Sequence, residues 1–242
     1  MLVKDKGIIL RQVKYNDKAN IVTIFTGKSG KKSFILYGIG SKRKGSFLRN
    51  IVQPLYLVDL EYMVKQTSDL GRIKNIALDY PYKTVPVEFD KKAVLLFLSE
   101  VLNKVLHEHL EDRELFDFVY HSLVFFDMQQ KDFSNFHIAF LIRLTRFVGI
   151  EPFGNYSEKN KYFDIRKGHF SDSFDSVYCL DEHLSKIFSR LLQTPISDSD
   201  KIVLTRDERQ QLLQSIVNYY SYHIDSFGQI NSLDVLSEIY GV

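Results

Sequence analysis

The sequence predicts an α+β fold: a small closed β-barrel at the N-terminus, then a mainly α-helical region carrying a small inserted hairpin. Three observations predict it. Residues 7–78 hold short β-branched and aromatic runs separated by Gly and Lys, the punctuation of strands. After Pro81 and Pro86 the apolar residues recur at three and four, the period of an amphipathic helix. From Glu151 to Tyr178, Gly, Asn, Ser and Asp interrupt that helical pattern around short aromatic runs.

In chain order, the strand-like runs are Ile8 to Val13, Ile21 to Thr26, Ser33 to Tyr37, Gln53 to Leu60, Glu61 to Gln66 and Arg72 to Ala77. Gly27-Lys28-Ser29-Gly30 reads as a tight hairpin loop. Five or six short strands with no helical period point to a barrel of OB or SH3-like size. The prolines mark a boundary between a domain 1–80 and a helical domain 81–242, with the hairpin insertion at about 151–178. In the second domain, Val94, Leu95, Leu98, Val101, Leu102, Val105 and Leu106 share one helical stripe. Further helical patterns run from about Arg113 to Met128, Phe133 to Val148 and Leu180 to Leu192. Gly149 and Pro152 stop one helix, Thr205-Arg206-Asp207-Glu208 opens another that reaches about Phe227, and a last follows Ser232. Ile196 to Asp200 is expected as a short acidic loop.

Apolar residues make up 45% of the 242 residues and charged residues 26%, enough apolar surface for a sizeable core. The one cysteine, Cys179, excludes an internal disulfide, so a reducing cytoplasm is expected. Met1 to Lys6 lacks the apolar run of a signal peptide, and no apolar stretch is long enough for a membrane span. Charge is more telling when divided along the chain. Lys18 to Val58 holds eight basic residues and no acidic one, whereas the whole chain is only +2, so everything outside that segment sums to −6. Such asymmetry points to a polyanion as partner.

The cations in question include Lys28, Lys31, Lys32, Lys42, Arg43, Lys44 and Arg49. Phosphate binding needs this combination of several Lys or Arg with no carboxylate to neutralise them. Phe34, Tyr37 and Phe47 lie among them, each either a stacking surface for a base or part of the barrel core. Gly27-Lys28-Ser29 lacks the upstream Gly of a phosphate loop, because Val22 stands there. His107-Glu108-His109 on a helix would point its histidines to different faces, which leaves them as surface residues. No nucleophile elbow, no metalloprotease helix and no paired cysteines occur, so no catalytic residue is assigned. Arg143 and Arg146, three apart on an apolar helix, either receive a partner's carboxylates or pair within the chain.

Taken in order, Gly7-Ile8-Ile9-Leu10, Tyr15 with Asp17, Ile21-Val22-Thr23, Thr26 with Gly30, Gly38-Ile39-Gly40-Ser41-Lys42-Arg43-Lys44, Ser46 and Gln53-Pro54 form a specific series. With Phe136 to Val148 ending in Gly149-Ile150-Glu151-Pro152, and Asn231 to Leu236, it resembles the RecO family of bacterial recombination mediators over nearly the whole chain. The resemblance implies an N-terminal OB fold and a helical C-terminal domain. It implies a non-enzymatic DNA repair protein that binds single- and double-stranded DNA and anneals complementary strands. It also implies partners: RecR, the acidic C-terminal tail of single-stranded DNA-binding protein, and indirectly RecA. Arg143 and Arg146 are the residues nominated for that tail. Many family members carry a cysteine zinc site in the hairpin, but Asn155 to His169 contains no cysteine. The expectation is therefore no cofactor and no zinc, with Tyr156, Tyr162, Phe163, Ile165 and Phe170 packing the hairpin instead. Composition alone equally supports an RNA-binding OB protein of translation or RNA metabolism. A nuclease or transferase whose carboxylates meet only in the fold, or a helical adaptor without nucleic-acid affinity, are further alternatives.

Overall fold

The computed structural model describes residues 2–65, 68–108, 110–130 and 133–241. They form two compact units, Met1–Met128 and Gln129–Val242. In the first, β1 (Leu2–Asn16), β2 (Ala19–Thr26), β3 (Gly30–Tyr37), β4 (Leu57–Lys65) and β5 (Ser68–Tyr80) close a barrel in the order β1-β2-β3-β5-β4. Neighbours are antiparallel except at the β3–β5 seam, where Phe34 pairs with Gly71 and Ile35 with Arg72 in parallel. This is the OB order. Alternation explains the inside: Val22, Ile24, Phe34, Leu36, Leu60 and Tyr62 are buried in the barrel core, where Phe34 and Tyr62 meet edge to face at 4.8 Å. Between β2 and β3 the chain turns at Gly30, whose φ of +63° suits a residue without a Cβ.

The strands run longer than their β-branched runs, and one element was not foreseen. α1 (Lys42–Ile51) lies between β3 and β4, and its Leu48 and Ile51 join the barrel core. Three cations in its first turn oppose the helix dipole and Gly45 lowers its propensity, so little in the sequence announces it. The two strands expected from Gln53 to Gln66 are a turn at Gln53 to Tyr56 followed by the single strand β4. Gln66, the expected end of the second, lies outside the described residues.

The first unit continues past residue 80 through α2 (Phe89–Val105) and α3 (Arg113–Met128). These cover one flank of the barrel, with the Phe25 and Phe116 rings 5.5 Å apart. The connecting segment is held by Asp127, which is wholly buried. Its carboxylate accepts the backbone N–H of Lys83, Thr84 and Val85 at 2.8–3.0 Å and the Tyr80 hydroxyl at 3.2 Å. The buried Lys91 ammonium donates to the Thr84 hydroxyl at 2.6 Å. Burial pushes the Asp127 carboxyl up, but the N–H groups of Lys83, Val85 and Thr84 outweigh it and hold it below its ordinary value. His107 and Glu108 lie beyond the end of α2, off any helix, and His109 lies outside the described residues.

The second unit contains α4 (Phe136–Phe147), the two-stranded hairpin β6 (Tyr162–Asp164) and β7 (His169–Ser171), α5 (Glu182–Gln193), α6 (Arg206–His223) and α7 (Ser232–Gly241). The segment expected as an acidic loop is a short 3-10 helix, Ile196–Lys201. The capping box is formed: Thr205 accepts the Glu208 N–H and Glu208 accepts the Thr205 N–H. α6 stops at His223, short of Phe227, because Ile224 is extended and Phe227 folds back to stack on Tyr220 at 5.3 Å.

Candidate nucleic-acid interface

Two loops set the site's frame. The Gly38 N–H donates to the Lys18 carbonyl at 2.9 Å, tying the segment between β3 and α1 to the β1–β2 hairpin. At Gly40 a Cβ would lie 2.0 Å from the Asp17 carbonyl oxygen, so only glycine allows this approach. Ser41 then caps α1, accepting the Gly45 N–H. The hairpin tip, with Lys14, Tyr15 and Lys18 all exposed, therefore has a fixed place beside the start of α1.

Strand register builds the surface beside these loops. Val13 pairs with Ile21, Ile21 with Ile35, and Ile35 with Arg72, a continuous row across four strands. The next row is Arg11, Thr23 and Ser33. Val22 and Phe34 point inward, so these rows lie on the outside of the barrel. Arg11, Val13, Tyr37 and Arg72 are exposed there, while Ile21 and Ile35 are half-buried. The Arg72 guanidinium lies over the Tyr37 ring, 5.0 Å from its centroid. Among the described residues neither Arg11, Lys18, Lys32 nor Arg72 has a carboxylate in ion-pair range.

The residues singled out from the sequence separate into distinct groups. Tyr37 is 45% exposed and can offer a ring to a base. Phe34 is a correction: it is fully buried against Tyr62 and has no face for a ligand. Lys31 donates its ammonium to the Asn103 carbonyl at 2.8 Å, and burial lowers its pKa against the opposing pull of Glu108. Lys32 is half-buried on β3. Lys28 sits in the β2–β3 turn, donating its ammonium to the Lys4 carbonyl and its backbone N–H to Asp5, on residues away from the rows above. Arg49 staples α1 by donating to the Ile39 carbonyl at 2.7 Å. Lys42, Arg43 and Lys44 form the first turn of α1, and their side chains lie outside the described set. Sequence reasoning missed Arg11 and Arg72. Strand alternation could have found the first, but only the barrel's closure brings the second to Tyr37.

In the second unit, α4 carries both nominated arginines. Arg143 is half-buried and donates to the Thr194 carbonyl at 3.2 Å, while Arg146 is exposed in the last turn. Neither pairs with a carboxylate among the described residues. The hairpin packs Phe163 against Phe188 at 4.4 Å and against Phe170 at 5.2 Å. Asp164 closes its turn by accepting the N–H groups of Arg166 and Lys167. The donors there do not fit a tetrahedral zinc. The Cys179 thiol points to the Ser173 carbonyl, the His169 ring lies against Phe153, and no group of three metal-ligating side chains occurs among the described residues.

A closed five-stranded barrel with a helix between its third and fourth strands, leading into a helical region, defines an OB-fold protein with a helical C-terminal domain. Comparison with known families agrees. The family model described as recombination protein O N terminal matches residues 1–82, and recombination protein O C terminal matches residues 87–233. Proteins named DNA repair protein RecO are similar throughout. That of Flavobacterium psychrophilum is 31% identical over 99% of this chain and 100% of its own length. That of Bacteroides fragilis is 32% identical with the same coverage, and that of Porphyromonas gingivalis 28%. The chain belongs to the RecO family of DNA repair proteins. Among the described residues no helix is long and apolar enough to cross a membrane.

Proposed function

We propose that the protein is a non-enzymatic recombination mediator, cytoplasmic and nucleoid-associated, that binds single- and double-stranded DNA through its basic barrel and anneals complementary strands. The observation that carries this reading is the run of eight cations without a carboxylate between Lys18 and Val58, folded onto one OB barrel of a DNA repair family. Two strands repel through their phosphates, and a positive surface that binds both removes the repulsion without reading sequence. Three cations at the start of α1 support the same reading: they weaken the helix locally, while a phosphate there would meet both their charge and the free N–H groups of the first turn. Lys32 and Arg72 extend the positive surface, whereas Lys31 and Arg49 position backbone. RNA binding has no comparable support from the family.

The helical part is the docking platform for RecR and for the acidic tail of single-stranded DNA-binding protein, through which RecA is loaded. Arg146 is the open cation for that tail, with Arg143 beside it ordering the end of α5. The hairpin folds without zinc, on the packing of Phe163, Ile165 and Phe170, and elemental analysis showing stoichiometric zinc would overturn that assignment. The main test is binding of a labelled single strand across a salt series, comparing wild type with the folded triple variant Lys42→Glu, Arg43→Glu, Lys44→Glu. The wild type should show an inverse salt dependence of about −0.7 per phosphate contact, and the variant a weak, shallow one. Equal binding by both refutes the basic-barrel reading.

A further inference from the structure

Where the end of α1 and the turn before β4 meet the start of α2, the first unit shows water an apolar face that its core does not use. An open groove of about 680 Å³ lies there, lined by Pro54, Tyr56, Val85, Pro86, Leu95 and Leu96. Asn50, Gln53 and Lys92 complete the lining, and no carboxylate is among them. At the start of α2 stand Val87, 77% exposed, and Phe89, 69% exposed. Both are held in place: the Thr84 carbonyl accepts the backbone N–H of Val87 and of Glu88 at 3.0 Å, and Thr84 is itself fixed by the Asp127 carboxylate. The wall formed by Pro54 and Tyr56 is as firmly set. Leu55 between them is buried and is the one non-glycine with positive φ among the described residues, at +57°. Its N–H donates to the Ile9 carbonyl and its carbonyl accepts the Tyr82 hydroxyl. Strained backbone of this kind persists where the fold over-determines a shape, and an exposed apolar patch this well braced marks a surface that meets another protein.

We propose that this face docks a second copy of the chain, the projection at 87–89 of each copy entering the groove of the other about a two-fold axis. Two observations select that occupant. A two-fold interface sets one patch against itself, so projection and groove must share a face, and Phe89, Lys92 and Leu96 fall on one stripe of α2 at spacings of three and four. The charges also match. Asp90, exposed beside Phe89, and Lys92, at the groove, have no ion-pair partner among the described residues, and residues two apart on a helix face away from each other. Phe89 seated in the second copy's groove brings Asp90 to that copy's Lys92, and symmetry makes the pair twice. The pairing does not rest on the DNA-binding reading, but its consequence does: two copies carry two barrels, so one particle can hold both strands to be annealed.

Sedimentation velocity across a dilution series reads the pairing. The wild type should pass from two chains to one as it is diluted. Phe89→Ala should weaken the association about thirtyfold, since the truncation enters a two-fold interface twice. Asp90→Lys and Lys92→Asp should each weaken it about fivefold by setting like charges together, and the double variant, which restores both pairs with reversed sign, should return to within about twofold of wild type. That recovery marks a contact between copies, because the two residues cannot reach each other within one. Circular dichroism establishes that the variants are folded. At a concentration where only the wild type is paired, Phe89→Ala should anneal complementary oligonucleotides severalfold more slowly with unchanged single-strand affinity, and equal rates would strike out the annealing consequence. A wild type that stays single at every concentration, or an association indifferent to Phe89→Ala and to both charge reversals, overturns the proposal. If such a single chain loses affinity for purified RecR on Phe89→Ala, the face belongs to that partner instead.

Discussion

Replacing Asp127 by asparagine keeps the shape of the side chain and removes its charge from a site with no exposure to solvent. The carboxylate holds three backbone N–H donors, from Lys83, Thr84 and Val85. A hydrogen bond to a charged group contributes roughly 2 kcal/mol and a neutral one roughly 1, so three weakened bonds give a loss of about 3 kcal/mol. The asparagine NH2 would also face the Lys83 N–H, which now meets the second carboxylate oxygen at 2.9 Å. The expected result is a urea midpoint lowered without change in slope, and a thermal midpoint about 10 °C lower. The pH dependence follows from the depressed carboxyl of the wild type. Its stabilisation is complete above the ordinary carboxyl range and disappears as pH falls through the folded value, so the curves of wild type and variant converge in acid. A loss under about 1 kcal/mol at neutral pH, or a difference that persists in acid, refutes the reasoning.

Other expectations are narrower. Lys31→Met should leave single-strand affinity and salt slope unchanged, because its ammonium is engaged with Asn103, whereas Lys32→Met should reduce the slope by about 0.7 in the same titration. Gly40→Ala places a methyl 2.0 Å from the Asp17 carbonyl, so the loop must shift. Its DNA affinity should drop severalfold while the circular dichroism spectrum stays that of the barrel. His137 is wholly buried, and burial, with the Arg209 guanidinium adding to it, pushes its pKa down to about 3. The unfolded chain therefore takes up a proton near pH 6.5 that the folded chain refuses until near pH 3. Stability should fall between those values by about 1.4 kcal/mol per pH unit on this account, and His137→Leu should remove that slope from urea titrations.

The barrel was legible because its strands are β-branched runs with glycine turns, and the start of α6 because Thr205 and Glu208 stand at capping-box spacing. α1 was not, because Gly45 and its leading cations argue against a helix that core contacts of Leu48 and Ile51 impose. The candidate surface was legible as a charge excess but not in its parts. Phe34 and Tyr37 look alike in sequence, and alternation along β3 sends one inward and the other out. Lys31 and Lys32 are neighbours, yet one reaches the end of α2. Arg72 gives no local signal at all, since its partner ring lies on a strand distant in sequence.

The β3–β5 seam has a consequence for how the protein assembles. β1, β2 and β3 are joined by short hairpin turns, while the seam brings residue 35 to residue 72 by a parallel pairing of two residue pairs. With two residue pairs, against the seven that join β1 to β4, the seam is the shorter of the two long-range ladders that close the barrel and the first expected to open. Tyr37 stands on one side of it and Arg72 on the other. The Tyr37–Arg72 contact thus exists only in the fully closed barrel, and a nascent or partly opened chain lacks it.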